Sequence, residues 1–282
     1  MATKIIVDSG ADITKKEAEE LGIIHMPIEV RMNDKDYLDG ENLLAEEFFK
    51  ELETCKELPK TSQITPLRYQ EMFDKIVADG DEAVVICLSS RLSNTYNNAR
   101  MTAENYDGKI VAVDSMTAFI GQKALCLYAI ELAKKGYNAK KIAEKLEERK
   151  GDIKLYAVID TLKYLKMGGR LSAASAFIGT LLAIKPIISV TEGEVRSINK
   201  AMGFKKGNKM VLELCSKSNI DYKMPMLLGY SGNDMSNIDS FMAEVNASSI
   251  EREFTKEELC SMGSTIGTHI GPGAVAICYF EK

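Results

Sequence analysis

Two rhythms of apolar and polar positions divide the chain. In the first half, short apolar runs alternate with stretches of helical spacing. KIIVD (4–8), EAVVICLSS (82–90) and KIVAVDS (109–115) read as buried strands, and IIHMPIEVRM (23–32) as one more. Between them, SGADITKKEAEELG, LLAEEFFKEL (43–52), LRYQEMFDKIVADG, TYNNARMTAENY, GQKALCLYAIELAKKG and NAKKIAEKLEERKG carry helical patterns. Pro66 stands where it opens a helix, because the first helical position needs no N–H. NDKDYLDGEN reads as a turn-rich polar stretch, and LPKTSQITP (58–66) as an extended loop bracketed by prolines. Strands alternating with helices of this length predict a mostly parallel sheet covered on both faces, a three-layer α/β/α unit.

The second half mixes hairpins with helices. KLYAVID (154–160), PMLLGYSG, SSIEREFT and AVAICYFEK read as strands, and KPIISVTEGEVRSINKAMG as a hairpin turning at Glu192-Gly193. TLKYLKMGGRLS reads as a helix ended by Gly168-Gly169. LSAASAFIGTLLAI, KKGNKMVLELCSKS and DMSNIDSFMAEV read as further helices. This is an α+β pattern. With 282 residues the chain is long enough for two domains. The polar stretch near Glu147–Ile153 sets the expected boundary: an N-terminal α/β domain over 1–152 and a C-terminal α+β domain over 153–282.

Charge and composition narrow the classes. The 36 basic and 41 acidic residues give a net charge of −5, so the basic footprint of a nucleic-acid binder is missing. Six cysteines are scattered without a CxxC pair, and Cys87, Cys126 and Cys278 sit in apolar runs. That pattern fits buried reduced thiols in a cytoplasmic protein and no zinc site. The opening MATKIIVDSG lacks the apolar core of a signal peptide. The charge-free stretch Leu171–Ile184 falls short of the roughly 20 residues of a membrane span.

The candidate chemistry is hydroxyl-rich. LSSRLSNTYNNA (88–99) brings Ser89, Ser90, Ser93 and Thr95 to a strand-to-helix junction. Helix N-termini carry unpaired N–H groups and a positive dipole end, so this junction suits a carboxylate or phosphate, or is a plain N-cap. KTSQ (60–63) presents Thr61 and Ser62, to a ligand or as an ordinary linker. His269, one of two histidines, lies in the glycine-rich GTHIGPGA. It is a base, a ligand contact or a hydrogen-bonded histidine in a tight turn. Arg170, behind two glycines, suits a phosphate or a partner's acid. Asp8, Ser115 and Asp114 collect at strand ends, where α/β sheets form ligand crevices and where such residues also cap helices.

Familiar catalytic and cofactor motifs are absent. There is no GxGxxG, P-loop, HExxH or GxSxG, and the spacing of Asp8, Asp12 and Asp114 demands no metal. Two readings stay beside a binding protein. One is a hydrolase using Ser93, His269 and Asp114. The other is a small phosphate-ligand binder using the Ser-rich helix start and Arg170.

Taken in order, KIIVDSGADI, IIHMPIEV, YLDGENLLAEEFF, PKTSQITP, LSSRLSNTYNNA, KIVAVDS, LKMGGRLS, GTLLAIKPII and GTHIGPGA resemble the DegV family of bacterial lipid-binding proteins. The resemblance runs almost end to end. It implies a two-domain protein, not itself an enzyme, that binds one long-chain fatty acid without a cofactor. The carboxylate sits at the domain interface and the acyl chain in a buried apolar tunnel. The head-group positions fall on Thr61, Ser62, Ser93, Asn94 and His269. Arg170 falls near the entrance as a partner or phosphate contact, and Phe177, Ile178 and Leu181 are tunnel-lining candidates. In members that serve a fatty acid kinase, the protein presents the carboxylate to a separate ATP-binding subunit, in phospholipid metabolism, with transient membrane contact allowed. Two positions depart from the pattern. Asn94 stands where the family usually has Gly, and Met202 where Lys-x-Arg places an arginine.

Overall fold

The computed structural model describes residues 2–172 and 183–282. Strand β1 (Thr3–Asp8) leads through a short 3-10 turn to helix α1 (Lys15–Leu21) and β2 (Ile24–Met26). A three-stranded section follows: β3 (Glu29–Met32), β4 (Lys35–Leu38), helix α2 (Ala45–Leu52) and β5 (Lys60–Ser62). Then come α3 (Pro66–Ala78), β6 (Glu82–Cys87), α4 (Thr95–Ala103), β7 (Ile110–Asp114), α5 (Ile120–Lys134) and α6 (Ala139–Arg149). The remainder runs β8 (Ile153–Val158), α7 (Lys163–Met167), β9 (Ile184–Thr191), β10 (Glu194–Met202), α8 (Phe204–Cys215) and β11 (Leu227–Tyr230). It closes with α9 (Ser236–Asn246), β12 (Cys260–Ser261), α10 (Ser264–Ile270) and β13 (Val275–Phe280).

The expected α/β class is observed. A parallel sheet of order β2-β1-β6-β7 and a six-stranded mixed sheet of order β10-β9-β8-β13-β11-β12 lie either side of α5. The period-2 alternation of β1 and β6 explains the layering. Ile6, Val85 and Cys87 face Tyr69 and Phe73 of α3 and Ala99 of α4. Ile5, Val7, Val84 and Ile86 face the opposite way, onto α5 and α6. The same core continues into Leu155, Ala157, Ala276 and Cys278 of the six-stranded sheet. That sheet's other face, with Val158, Leu228 and Ile277, packs on Val211 of α8 and Phe241 of α9.

Several local expectations are corrected. The run 23–32 is two strands in two sheets, because Pro27 has no N–H for a ladder. NDKDYLDGEN contains strand β4: Asn33 and Asp34, at φ 50° and 59°, make a tight two-residue hairpin turn. KTSQ is not a loop but strand β5, paired with β3. SSIEREFT forms no strand. The Asn246 side chain bonds both the N–H and the C=O of Phe254, replacing a ladder partner, while the Phe254 ring packs in the core. The hairpin at Glu192-Gly193 forms as expected, with both residues at positive φ. All six cysteines are free thiols, and five are buried. Among the described residues no helix is long and apolar enough to cross a membrane, and no cluster of side chains has metal-ligand geometry. Phe177, Ile178 and Leu181 lie outside the described residues.

Candidate functional site

A cavity of about 410 Å³ opens between the inner face of the six-stranded sheet and the loops at the carboxyl ends of the parallel strands. Its volume falls within the ~300–1,000 Å³ usual for small-molecule sites. The walls are mostly apolar: Leu88, Phe119, Leu155, Ala157, Ile188 and Ala276 are among them. The polar residues are Thr61, Ser62, Gln63, Ser93, Asn94, Arg170, Tyr230, Thr265 and His269. Every head-group residue read from the sequence, and Arg170, therefore reaches one cavity. The sheet wall was not anticipated. Its signal was present in the alternating Leu155, Ala157 and Ile159 and in the small Ala274 and Ala276.

The polar residues are joined by contacts. Thr61 Oγ1, on β5, lies 3.2 Å from His269 Nε2 in the last turn of α10. His269 is thus a helical residue, not part of a turn. Burial first, then the nearby Arg170 charge, push its pKa down to about 4, so the ring is neutral near pH 7. Its Nδ1 is buried without a partner among the described residues. A hydrogen there would be a lost bond, so the proton belongs on Nε2, which donates to Thr61 Oγ1. The Thr61 hydroxyl proton is then free for an acceptor in the cavity. Gly168 is what lets the imidazole sit here: a Cβ at that position would lie 2.3 Å from Nδ1.

Ser93 is prepared in the same way. Thr95 Oγ1 accepts from the Ile64 N–H at 3.4 Å and lies 2.9 Å from Ser93 Oγ. Ser93 Oγ also accepts the Thr95 N–H at 3.3 Å, and either hydroxyl can donate to the other, since each oxygen keeps a second lone pair. With Thr95 as the donor, the Ser93 hydroxyl proton is left for an acceptor in the cavity. Asn94, the N-cap of α4, has φ −79°, a conformation open to any residue, so the departure from glycine strains nothing. Its side chain bonds Asn97 and Asn98 along the helix. Arg170 is anchored to the Leu92 and Gly168 carbonyls through Nε and Nη1, which leaves further guanidinium N–H groups.

The carboxylates at the strand ends shape the crevice from below. Asp8, pushed up to about 6 by burial, accepts from the Leu88 and Gly10 amides and from Gln122. Asp114 accepts from the Ser90 and Met116 amides. These bonds commit Asp114 to its own loops, and the triad of Ser93, His269 and Asp114 is not assembled.

An α/β scaffold that closes a mostly apolar cavity against a cluster of hydroxyls suits a molecule with one small polar end. The chain belongs to the DegV family, whose model matches residues 2–282 and is described as covering uncharacterised proteins. A DegV domain-containing protein of Listeria monocytogenes is 34% identical over 280 residues, covering 98% of each chain. One from Caldanaerobacter subterraneus is 31% identical over 280 residues, covering 99% of this chain and 98% of the relative. Among solved structures, a DegV family protein from Thermus thermophilus, described by its fatty acid binding, superposes with a TM-score of 0.88 at 27% identity over the whole of both chains. DegV of Bacillus subtilis, described as a fatty acid binding protein, gives 0.85 at 30% identity over the whole of both chains.

Proposed function

We propose that this chain binds one long-chain fatty acid, its carboxylate against Thr61, Ser93 and the Asn94 amide, and its acyl chain in the cavity. The observation that carries the reading is the pair of hydroxyls, Thr61 and Ser93, that line one mostly apolar cavity and can each donate to an acceptor in it. An unpaired buried carboxylate is costly, and two charge-assisted bonds offset that cost. The acyl chain contributes ~0.8 kcal/mol per buried CH₂. The fatty acid binding described for the Thermus and Bacillus proteins supports the same ligand class here. Residues 1–152 bring the hydroxyls and 153–282 bring His269 and Arg170, so the head group sits between the two proposed domains.

The chain is a carrier on this reading. In line with the family resemblance, it presents the carboxylate to a separate ATP-binding kinase subunit, with the spare N–H groups of Arg170 available to the phosphate. Mass spectrometry of an organic extract of the purified protein tests the binding. A stoichiometric long-chain fatty acid is expected. An empty extract, with failure to load added oleate, overturns the reading.

A further inference from the structure

The carboxyls at the far end of α10 have no part in the ligand contacts above. Asp39, almost fully buried, caps this helix from another part of the chain. Its Oδ1 accepts the Ser264 N–H at 2.8 Å and the Ser264 hydroxyl at 2.6 Å, and its Oδ2 accepts the Thr265 N–H at 3.2 Å. Asp12 accepts the Gly263 N–H at 2.8 Å through Oδ1. Its Oδ2 is buried without a partner among the described residues. Gly263 separates the two: a Cβ there would lie 2.8 Å from Oδ1 of each aspartate.

Two carboxyls this close and this deeply buried do not both carry charge at low cost. Asp39 has three donors and the positive end of a helix, so the charge belongs on it. Asp12 has one donor. Burial, then the Asp39 charge, raise its pKa well above the usual carboxylate range, with Asp8 adding to the rise and Lys123 opposing it. We propose that Asp39, by holding the first turn of α10, is the positioning residue that sets His269 through that helix, and that its neighbour Asp12 plays no part in setting it.

The mechanical link is short. α10 has seven residues, Thr268 Oγ1 bonds back to the Ser264 carbonyl at 2.8 Å, and His269 follows. A helix of this length has little stability of its own, so its ends and its packing set its seat. Thr265, whose amide Asp39 holds, itself lines the cavity.

The inference rests on the fatty-acid reading for its effect on affinity, but its test does not. Asp12→Asn and Asp39→Asn are compared by the ring ¹⁵N signals of His269 without ligand, below the melting temperature, and by affinity for oleate. Asp12→Asn is expected to leave both unchanged, because Asn is neutral and keeps an oxygen on Gly263. Asp39→Asn is expected to shift the His269 signals and weaken oleate binding roughly tenfold or more. Equal effects in the two variants, or unmoved His269 signals in Asp39→Asn, overturn the proposal. If Asp39→Asn does not fold, Ser264→Ala is expected to shift the same signals by less, and no shift overturns it. Failure of the parent protein to bind oleate overturns the binding reading alone, and the ring signals still decide this one.

Discussion

Thr61 Oγ1 and His269 Nε2 meet at 3.2 Å across 208 residues of chain. The contact closes β5 onto α10 and turns a neutral imidazole into a donor that sets the direction of a threonine proton. Thr61→Val keeps the shape and removes that proton. The loss of one hydrogen bond to a charged acceptor is worth ~1.5–3 kcal/mol, so the dissociation constant for oleate should rise roughly tenfold or more. Thr61→Ser should restore most of the affinity. Displacement of a fluorescent fatty acid measures both, and equal affinity in all three proteins would remove Thr61 from the head-group site.

The same imidazole gives a pH signature. His269 is at about 4 in the folded chain against an ordinary value of 6.5. Between those values the unfolded chain binds the extra proton, so this residue's contribution to stability is present above 6.5 and is lost as pH falls toward 4. Asp8 acts in the opposite direction: raised to about 6 from 3.8, it favours the folded state at the acid end and loses that contribution as pH rises through about 6. A difference experiment separates them. His269→Gln should lose less melting temperature than the parent between pH 6.5 and 4.5. Parallel melting curves would show that the ring is not held neutral by burial.

Gly168 and Gly169 separate steric from backbone effects. Gly168 has φ −76°, which alanine adopts freely, but its new Cβ would press on His269 Nδ1. Gly168→Ala should therefore fold and bind oleate weakly. Gly169 has φ 69° and open space around a Cβ. Gly169→Ala should cost ~1 kcal/mol of stability and leave affinity alone. Thermal melts and ligand titrations on the pair check this, and identical binding in both would count against the placement of His269.

The sequence made the sheet-and-helix plan legible where one physical signal dominated. KIIVD and EAVVICLSS are apolar on both faces, and both became interior strands of a parallel sheet. Thr61, Ser93 and His269 were marked as candidates, but their meeting was not, because no local pattern encodes contacts between distant segments. Residues 248–255 show the opposite failure. Their alternating Ile250, Arg252 and Phe254 suggest a strand, yet tertiary packing and the Asn246 side chain hold them as a loop. His269 misled in another way. Its glycines suggest a turn around it, but the turn comes only after it: Gly271, at φ 76°, caps α10, while Gly267 inside the helix is small to fit Phe48 and Phe49.

The register of the six-stranded sheet sets up the last prediction. Ile188, Ala157, Ala276, Gly229 and Cys260 form one cross-strand row over β9, β8, β13, β11 and β12. The first four line the cavity. The middle of the row is small, so it forms a trough bounded by Ile188 on one side. Toward the other, the Phe119 ring lies on Gly229, where a Cβ would come within 2.4 Å of it. An acyl chain lying in this trough is limited by its width at Ala157 and by the ring at Phe119. Ala157→Leu adds carbons where the cavity has room, so the fold should persist, while stearate should lose more affinity than laurate. Phe119→Ala should do the reverse and favour the longer chain. A competition series of laurate, palmitate and stearate reads both variants. An unchanged chain-length profile in both would place the acyl chain off this sheet face and against other walls of the cavity.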